Sequence, residues 1–170
     1  KVELKMDLEK HLPPVMADAT QLRQIVMNLV INASDAIGEN PGIIHISTGL
    51  KSATKDQLEG AYFAENTDRG KYVCLKVKDT GSGMSAETKA RIFAPFFTTK
   101  FTGRGLGLAA VLGIVRGHKG TIKVDSEPGR GTTFELLLPA SDGKAESSDY
   151  PITTSAPWRG RGLVLVADDD

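Results

Sequence analysis

The 170-residue sequence predicts one domain that combines β-strands and α-helices, with some additional length at its end. Stretches with the two-residue alternation of strands and stretches with helical spacing follow one another along most of the chain. Hydrophobic residues make up 40% of the sequence and charged residues 25%, the balance of a domain that can bury a core. A disordered chain is therefore excluded.

Each element has its own signal. The predicted elements are a half-buried strand over 2–8, a helix over 18–37, strands over 43–50 and 72–77, helices over 85–93 and 106–115, and a hairpin of 121–127 and 132–138. Asp18 with Gln21 resembles a capping box for the long helix, which Gly38 and Pro41 end. The polar residues 51–71 indicate a surface excursion between paired strands.

Charge, cysteine content and hydropathy limit the possible partners and compartments. Basic and acidic residues number 21 each, so no overall field favours a nucleic-acid backbone or an anionic membrane, and any phosphate must be bound locally. Cys74 is the single cysteine, which excludes an internal disulfide and favours a reducing compartment. No apolar run approaches the roughly 20 residues of a membrane helix. We expect a cytoplasmic fragment, without membrane contact of its own, of a parent that could be membrane-anchored.

Three polar residues share one face of the long predicted helix. Asn28, Asn32 and Asp35 are spaced i, i+4 and i+7, with about 6 Å of rise between the two asparagines. An amide oxygen is a hard neutral ligand that suits magnesium, which takes its other ligands from substrate phosphates and water. The alternative is a solvated polar edge.

The sequence from Asp79 to Gly83 follows an apolar strand. Glycines permit a close approach of backbone to a ligand, and the carboxylate of Asp79 could accept a hydrogen bond from an exocyclic amine such as that of adenine. An acidic turn is the alternative.

Gly103, Gly105 and Gly107 precede a predicted helix, whose first N–H groups can meet phosphate oxygens. Gly105-x-Gly107-x-x-Ala110, with Asp125 at a later strand end, also matches the dinucleotide fingerprint. That fingerprint requires a hydrophobic strand before the first glycine, whereas residues 98–102 are polar.

Three of the six phenylalanines lie between the two glycine segments, at positions 93, 96 and 97. They could anchor a lid, here residues 98–105, that closes over phosphates and carries Lys100 and Arg104 as cations. Simple core packing of the aromatics is the compatible alternative.

Taken in order, these motifs resemble the ATP-binding catalytic domain of histidine kinases, in the superfamily with gyrase, the heat-shock 90 chaperones and the MutL proteins. The resemblance runs from about Val2 to Pro139 and includes a C-terminal Gly131-Thr132-Thr133-Phe134. Its four boxes are Asn28-Leu-Val-Ile-Asn32-Ala-Ser-Asp35-Ala (N), Asp79-Thr-Gly81-Ser-Gly83-Met (G1), Ile92-Phe-Ala-Pro-Phe-Phe-Thr-Thr-Lys100 (F) and Gly103-Arg-Gly105-Leu-Gly107-Leu108 (G2).

The resemblance implies an α/β two-layer sandwich, with a mixed, mainly antiparallel sheet, helices on one face, and ATP between the N-box helix and the lid. The resemblance also implies a role for each matching residue. At the base, Asp79 binds the adenine amine with help from Thr132, and Gly81 and Gly83 line the pocket. At the phosphates, Asn32 is the Mg²⁺ ligand, Asn28 and Lys100 are catalytic residues beside the triphosphate, and the phosphate-facing backbone comes from Gly103, Gly105, Gly107 and Leu108.

The resemblance also implies the type of reaction. Where the gyrase and MutL branches place a glutamate that activates water, this sequence has Asn28, which cannot act as a general base. Transfer of the γ-phosphate to a protein histidine, with ADP as product, is therefore favoured over an ATP hydrolase or switch and over a binding-only pseudokinase. Asp35 replaces the lysine found there in many kinases and is closer to the nitrogen-regulatory type, so its role stays open.

Partners follow from what the matching region lacks. None of the three histidines, His11, His45 and His118, has the helical setting of a phosphorylated histidine. We therefore expect a dimerisation domain upstream in the parent chain to supply the acceptor histidine. We expect a response regulator or receiver domain to take the phosphate next in the two-component phosphorelay.

The sequence after the matching region predicts two further segments. The composition of residues 140–161 predicts a linker. Residues 162–170, which end in three aspartates, resemble the truncated start of a receiver domain, as in a hybrid kinase; a strand-like scrap is the alternative.

Overall fold

The computed structural model describes residues 2–53, 61–62, 70–100 and 103–141. Its elements are β1 (Val2–Asp7), α1 (Ala19–Ile37), β2 (Gly42–Ala53), β3 (Gly70–Asp79), α2 (Ala86–Arg91), α3 (Gly107–Gly117), β4 (Thr121–Glu127) and β5 (Gly131–Pro139). Every predicted helix and strand before residue 140 is present. Most of the predicted excursion over 51–71, most of the predicted linker and all of the predicted receiver start lie outside the described residues.

The strands form one five-stranded sheet in the order β1-β2-β3-β5-β4. β1 runs parallel to β2, and the other three pairs are antiparallel. The helices pack on one face of this sheet, so the predicted two-layer sandwich is confirmed. The dinucleotide alternative is excluded, because the described residues directly before Gly105, 98–100 and 103–104, form no strand and the sheet is mainly antiparallel.

The core lies between the helices and that face of the sheet. α1 buries an apolar stripe at intervals of about four residues, and α3 buries Val111 and Val115. The strands contribute large buried side chains to this core, and Tyr72, Cys74 and Leu137 form a second, smaller buried cluster on the opposite face of the sheet. The principal core residues are Ile25, Leu29, Ala33, Ile37, Ile44, Ile46, Val77, Ile92, Val111, Val115, Ile122, Phe134 and Leu136.

The prediction that the first strand is half-buried was wrong. Leu4 is paired in register with Ile44 and lies on the same sheet face, yet Leu4 is 52% exposed and Ile44 only 2%. β1 is one of the two edge strands, and the helices contact the other four strands, including β4 at the opposite edge. Alternation therefore predicted the strand correctly but not its burial.

The N-terminus of α1 is capped by two residues far apart in sequence. The Asp18 carboxylate accepts hydrogen bonds from the backbone N–H groups of Thr20 and Gln21, at 2.7 and 2.9 Å. The backbone N–H of Asp18 donates to Nε2 of His118, at 3.0 Å, in place of the Gln21 side chain that a capping box would use. The start of α1 is thereby joined to the end of α3.

Candidate nucleotide-binding site

A cavity of about 530 Å³ opens between α1, the loop after β3, the lid and the start of α3. This volume lies within the usual range for small-molecule sites. The cavity brings together ten of the eleven residues predicted from the sequence: Asn28, Asn32, Asp79, Gly83, Lys100, Gly103, Gly105, Gly107, Leu108 and Thr132. Gly81 is the exception and does not line it.

Asp79 is the last residue of β3, and its carboxylate faces the cavity although only 3% of the residue is exposed. One oxygen, Oδ1, accepts hydrogen bonds from the backbone N–H groups of Gly81 and Thr132, at 2.8 and 3.2 Å. Within the described part of the chain, Oδ2 has no such partner. Burial raises the pKa of Asp79, against the opposing effect of the two N–H donors. The site therefore offers an oriented acceptor to a ligand N–H.

Thr132 completes this end of the cavity. Its hydroxyl lies 3.0 Å from that of Ser126, which also donates to the carbonyl of Gly131 at 3.1 Å. Because the Ser126 proton goes to that carbonyl, the Thr132 hydroxyl donates to Ser126 and keeps a lone pair for a ligand or a water. Sequence reasoning missed Ser126, which alternation alone could have placed opposite Thr132.

The loop after β3 is tied to three neighbouring elements by its backbone. The N–H of Ser82 donates to the carbonyl of Ala36 at 2.9 Å, and the carbonyl of Ser82 accepts from Gly129 in the β4–β5 turn at 2.7 Å. A side chain at Gly81 would meet the Ala36 carbonyl carbon at 2.6 Å. Gly81 thus acts by allowing this loop to lie against α1 rather than by lining the cavity.

Gly83 does line the cavity and has a positive φ of 65°. A side chain there would collide with the carbonyl of Glu127 at the end of β4. The apolar walls beside it come from Met84, Ile92 and Phe134, which the sequence analysis did not assign to the site. Met84 follows the glycine motif directly, and the alternation of β5 places Phe134 on the same face as Thr132.

The opposite end of the cavity is built around the start of α3. Gly107 is the first residue of this helix, and its N-cap, Leu106, supplies no side-chain hydrogen bond. The first N–H groups of a helix have no partner within it and carry the positive end of its dipole. A Cβ at Gly107 would lie 3.4 Å from Oδ1 of Asn28, so the two residues face each other across a narrow gap. This end is suited to an anion.

The ammonium of Lys100 spans from the lid to α1. Its Nζ donates to Oδ1 of Asn32 at 3.0 Å and to Oδ2 of Asp35 at 2.7 Å. The amide oxygen of Asn32 is therefore oriented toward a cation. The described residues contain no group of three His, Cys, Asp or Glu side chains that could hold a metal ion. Asn32 fits a magnesium ion that takes its remaining ligands from phosphates and water.

The residues before the lid join it to the core. Phe93 is buried and contacts Tyr62 edge to face, with ring centroids 4.7 Å apart. The Arg91 guanidinium lies 4.5 Å above the Phe97 ring. Phe96, by contrast, is 75% exposed with a φ of 64°, and its N–H donates to the carbonyl of Gly105 at 3.0 Å. Core packing thus describes Phe93 but not Phe96.

Comparisons with known proteins show the family of this chain. The family described as histidine kinase-, DNA gyrase B- and HSP90-like ATPases matches residues 17–142. The chain is 36% identical over 178 residues to the sensor kinase CckA of Brucella abortus, covering 99% of this chain and 18% of the relative. It is 37% identical over 141 residues to the sensor histidine kinase ZraS of Escherichia coli, covering 83% of this chain and 26% of the relative. The chain thus spans about a quarter or less of these relatives.

Solved structures show the same fold. The nucleotide-free catalytic domain of histidine kinase ThkA is 30% identical, with a TM-score of 0.61 over 82% of this chain and 79% of that one. Full-length ShkA in complex with AMPPNP is 28% identical, with a TM-score of 0.63 over 85% of this chain and 27% of that one. The chain belongs to the histidine kinase-, DNA gyrase B- and HSP90-like ATPase family, as an ATP-binding catalytic domain of the histidine kinase type.

Proposed function

We propose that this domain binds ATP with Mg²⁺ and donates the γ-phosphate to a histidine on a separate dimerisation domain, as the catalytic domain of a two-component sensor histidine kinase. Asp79 and Thr132 would read the adenine, and the start of α3 with Asn28 would hold the triphosphate. Asn32 would ligate Mg²⁺, and Lys100 would contact the phosphates. A bound ion would neutralise phosphate charge. Catalysis would rest on positioning and charge neutralisation, since the acceptor histidine is itself the nucleophile.

The observation that carries this proposal is the placement of carboxylates in the cavity. Of the described residues that line it, Asp79 and Asp35 alone are acidic. Asp79 lies at the base end, and Asp35 is paired with Lys100. Neither carboxylate is available beside the start of α3 to activate water, and Asn28 stands there instead. Transfer to an external nucleophile is therefore favoured over hydrolysis.

The proposed partners lie outside the described residues. His118 is a structural residue, because its ring nitrogens bond to Asp18 and to the carbonyl of Ile114. The acceptor histidine would then come from a dimerisation domain of the parent protein. Exposed apolar side chains surround the cavity mouth, at Ile31 and Leu106, where an incoming domain would dock. The described helices include none long and apolar enough to cross a membrane. We place the domain in the cytoplasm, where ATP is available.

The sequence after β5 supports a further part of the proposal. Backbone pairing continues to Ala140 and Ser141, whose N–H groups donate to Lys71 and Pro14. We propose that residues up to 161 link this domain to a receiver domain that begins at 162, as in a hybrid kinase of a phosphorelay. The similarity to CckA extends over 99% of this chain and so covers most of the residues after 141.

Two readouts on one reaction test the proposal. The protein is incubated with γ-labelled ATP and Mg²⁺, with and without a purified histidine kinase dimerisation domain added in trans. We expect labelled phosphohistidine on the added domain and little release of inorganic phosphate. Asn32→Ala should abolish the labelling while affinity for adenosine stays within twofold, because Asn32 contacts Lys100 and is not bonded to Asp79.

Two outcomes would contradict the proposal. Rapid phosphate release without phosphohistidine would support an ATP hydrolase. Tight ATP binding with neither product, across several dimerisation domains, would support a binding-only pseudokinase.

A further inference from the structure

Asp35 and Lys100 make a contact that the proposed reaction does not by itself require. Asn32 and Asp35 lie one turn apart on the same face of α1, and both accept from the single ammonium of Lys100. On the lid side, the backbone N–H of Lys100 donates to the hydroxyl of Thr98 at 3.0 Å. The lysine is thus fixed from both ends, with its charge on the oxygen that is proposed to ligate Mg²⁺.

We propose that Asp35 is a positioning residue, which holds Lys100 on the Asn32 amide oxygen while the site is free of nucleotide. This inference rests on the proposed function. The Asp35–Lys100 pair acts as a latch: it keeps the described lid residues 98–100 against α1 and occupies the proposed metal ligand until nucleotide arrives. Lys100 then moves from Asn32 to the phosphates, and the amide oxygen becomes available to the ion that the phosphates carry.

The exposure of the pair limits how strong this latch can be. The side chains of Lys100 and Asp35 are 38% and 46% exposed, and ion pairs in such surroundings are weak because water screens them. Phosphates compete well for the same three ammonium donors, since they carry more charge than one carboxylate. We therefore expect release of the latch to change affinity by about fivefold at most, which corresponds to about 1 kcal/mol.

The first test follows the lid in the absence of nucleotide and metal. Amide hydrogen exchange is measured at residues 98–100 and 103–105 in the wild type, Asp35→Ala, Lys100→Met and the double variant. If the two side chains act as one latch, each single variant exchanges about three- to fivefold faster, and the double variant is no faster than either. Asp35→Glu, which keeps the carboxylate, should restore most of the protection.

Matched controls separate the latch from a general change of charge. Glu39→Ala removes a negative charge just beyond α1, and Lys123→Met removes a positive charge from β4; neither residue lines the cavity. Both should leave lid exchange unchanged. The latch would be overturned if Asp35→Ala left lid exchange unchanged. It would also be overturned if the effects of the two single variants multiplied in the double variant.

The second test measures ATP affinity without Mg²⁺ by calorimetry. Asp35→Ala should strengthen ATP binding without Mg²⁺, because Lys100 is released to the phosphates. The gain in ATP affinity should be at least threefold larger in the wild-type background than in the Lys100→Met background. An equal gain in both backgrounds would show that Asp35 acts only as a repelling charge, and would refute the latch with ATP binding intact. Failure of the wild type to bind ATP even with Mg²⁺ would refute the proposed function instead, while the exchange test would still report on the latch.

Discussion

Asp79 shows how one residue can serve the loop with one oxygen and a ligand with the other. Oδ1 accepts from two backbone N–H groups, whereas Oδ2 has no hydrogen-bond partner among the described residues, and the residue lines the cavity. The loop needs only an acceptor, and an asparagine oxygen could supply it. Recognition of an adenine amine needs a second acceptor, which an asparagine lacks.

Asp79→Asn should therefore weaken ATP binding without weakening the fold. We expect a loss of about 1.5–3 kcal/mol of binding free energy, about 10- to 150-fold in Kd, and a smaller preference for ATP over GTP. The variant's free energy of unfolding should equal or exceed that of the wild type, because no buried charge remains to be desolvated. Calorimetry with both nucleotides and chemical denaturation measure these effects. The control is Asp125→Asn, on the exposed part of β4, and equal ATP affinity in the two variants would reject the base assignment.

The raised pKa of Asp79 predicts a pH dependence whose sign follows from linkage. Burial makes the folded protein hold this proton more tightly than the unfolded chain does. The resulting stability is complete below the unfolded pKa, near 3.9, and is lost as pH rises through the higher folded pKa. The unfolding free energy of the wild type should therefore rise relative to Asp79→Asn as pH falls through this window, while ATP affinity falls. A constant difference between the two proteins from pH 4 to 8 would contradict a raised pKa.

At the scale of elements, a backbone hydrogen bond joins Phe96, which precedes the lid, to Gly105, the last residue of the lid. Gly105 has a φ of 67°, and a side chain there would lie 2.5 Å from the Phe96 carbonyl carbon. Gly113, within α3, has open space around its missing side chain and no positive φ. The two glycines therefore make a matched pair.

Gly105→Ala should reduce affinity for ATP at least tenfold while affinity for adenosine changes less than threefold, because the lid contributes to the phosphate end. Gly113→Ala should bind ATP normally and raise the unfolding free energy by about 0.5–1 kcal/mol through helix propensity. Calorimetry and thermal unfolding of both variants check this. If Gly105→Ala weakened ATP and adenosine equally, the division of the cavity into two ends would be wrong.

The predictability of each element depended on whether its determinants are local. The Asp18 side-chain cap of α1, the hairpin turn and the apolar stripe at Ile25 and Leu29 depend on adjacent residues and were predicted from them. The second half of the cap was not, because His118 takes the place of the predicted Gln21 side chain. The exposure of Leu4 was not, because it depends on where the helices end over the sheet. Asp79 and the glycines before α3 were proposed from their local motifs, and the family resemblance added a role for each. The Ser126–Thr132 contact lies within one hairpin and was missed, whereas the partner of Asp35 depends on a contact between distant segments.

At the scale of the whole molecule, His118 connects the two helices that carry the proposed phosphate-binding groups. Its Nδ1 lies 2.8 Å from the carbonyl of Ile114, which can only accept, and its Nε2 accepts from the N–H of Asp18. The tautomer with its proton on Nδ1 satisfies both of these hydrogen bonds. The start of α1 and the end of α3 are held in one arrangement by this ring.

His118→Ala should lower the unfolding free energy by about 1 kcal/mol, because the N–H of Asp18 loses its partner. For a domain of this size that corresponds to a fall of about 2–5 °C in Tm. His45→Ala, in β2 on the sheet face away from the helices, is the matched control and should be nearly neutral. Thermal unfolding of both variants decides the matter, and equal Tm values would deny His118 a structural role.

The two ends of the cavity are assembled by different means. Around Asp79 the walls are joined by main-chain bonds between β3, the β4–β5 turn and α1, while the far end is closed by the half-exposed side chain of one lysine. A competitive inhibitor that imitates only the purine would thus find its receptor preassembled whatever position the lid adopts. Compounds that imitate the triphosphate would have to reorganise the protein first, so medicinal chemistry on this domain should begin from heterocycles rather than from anions.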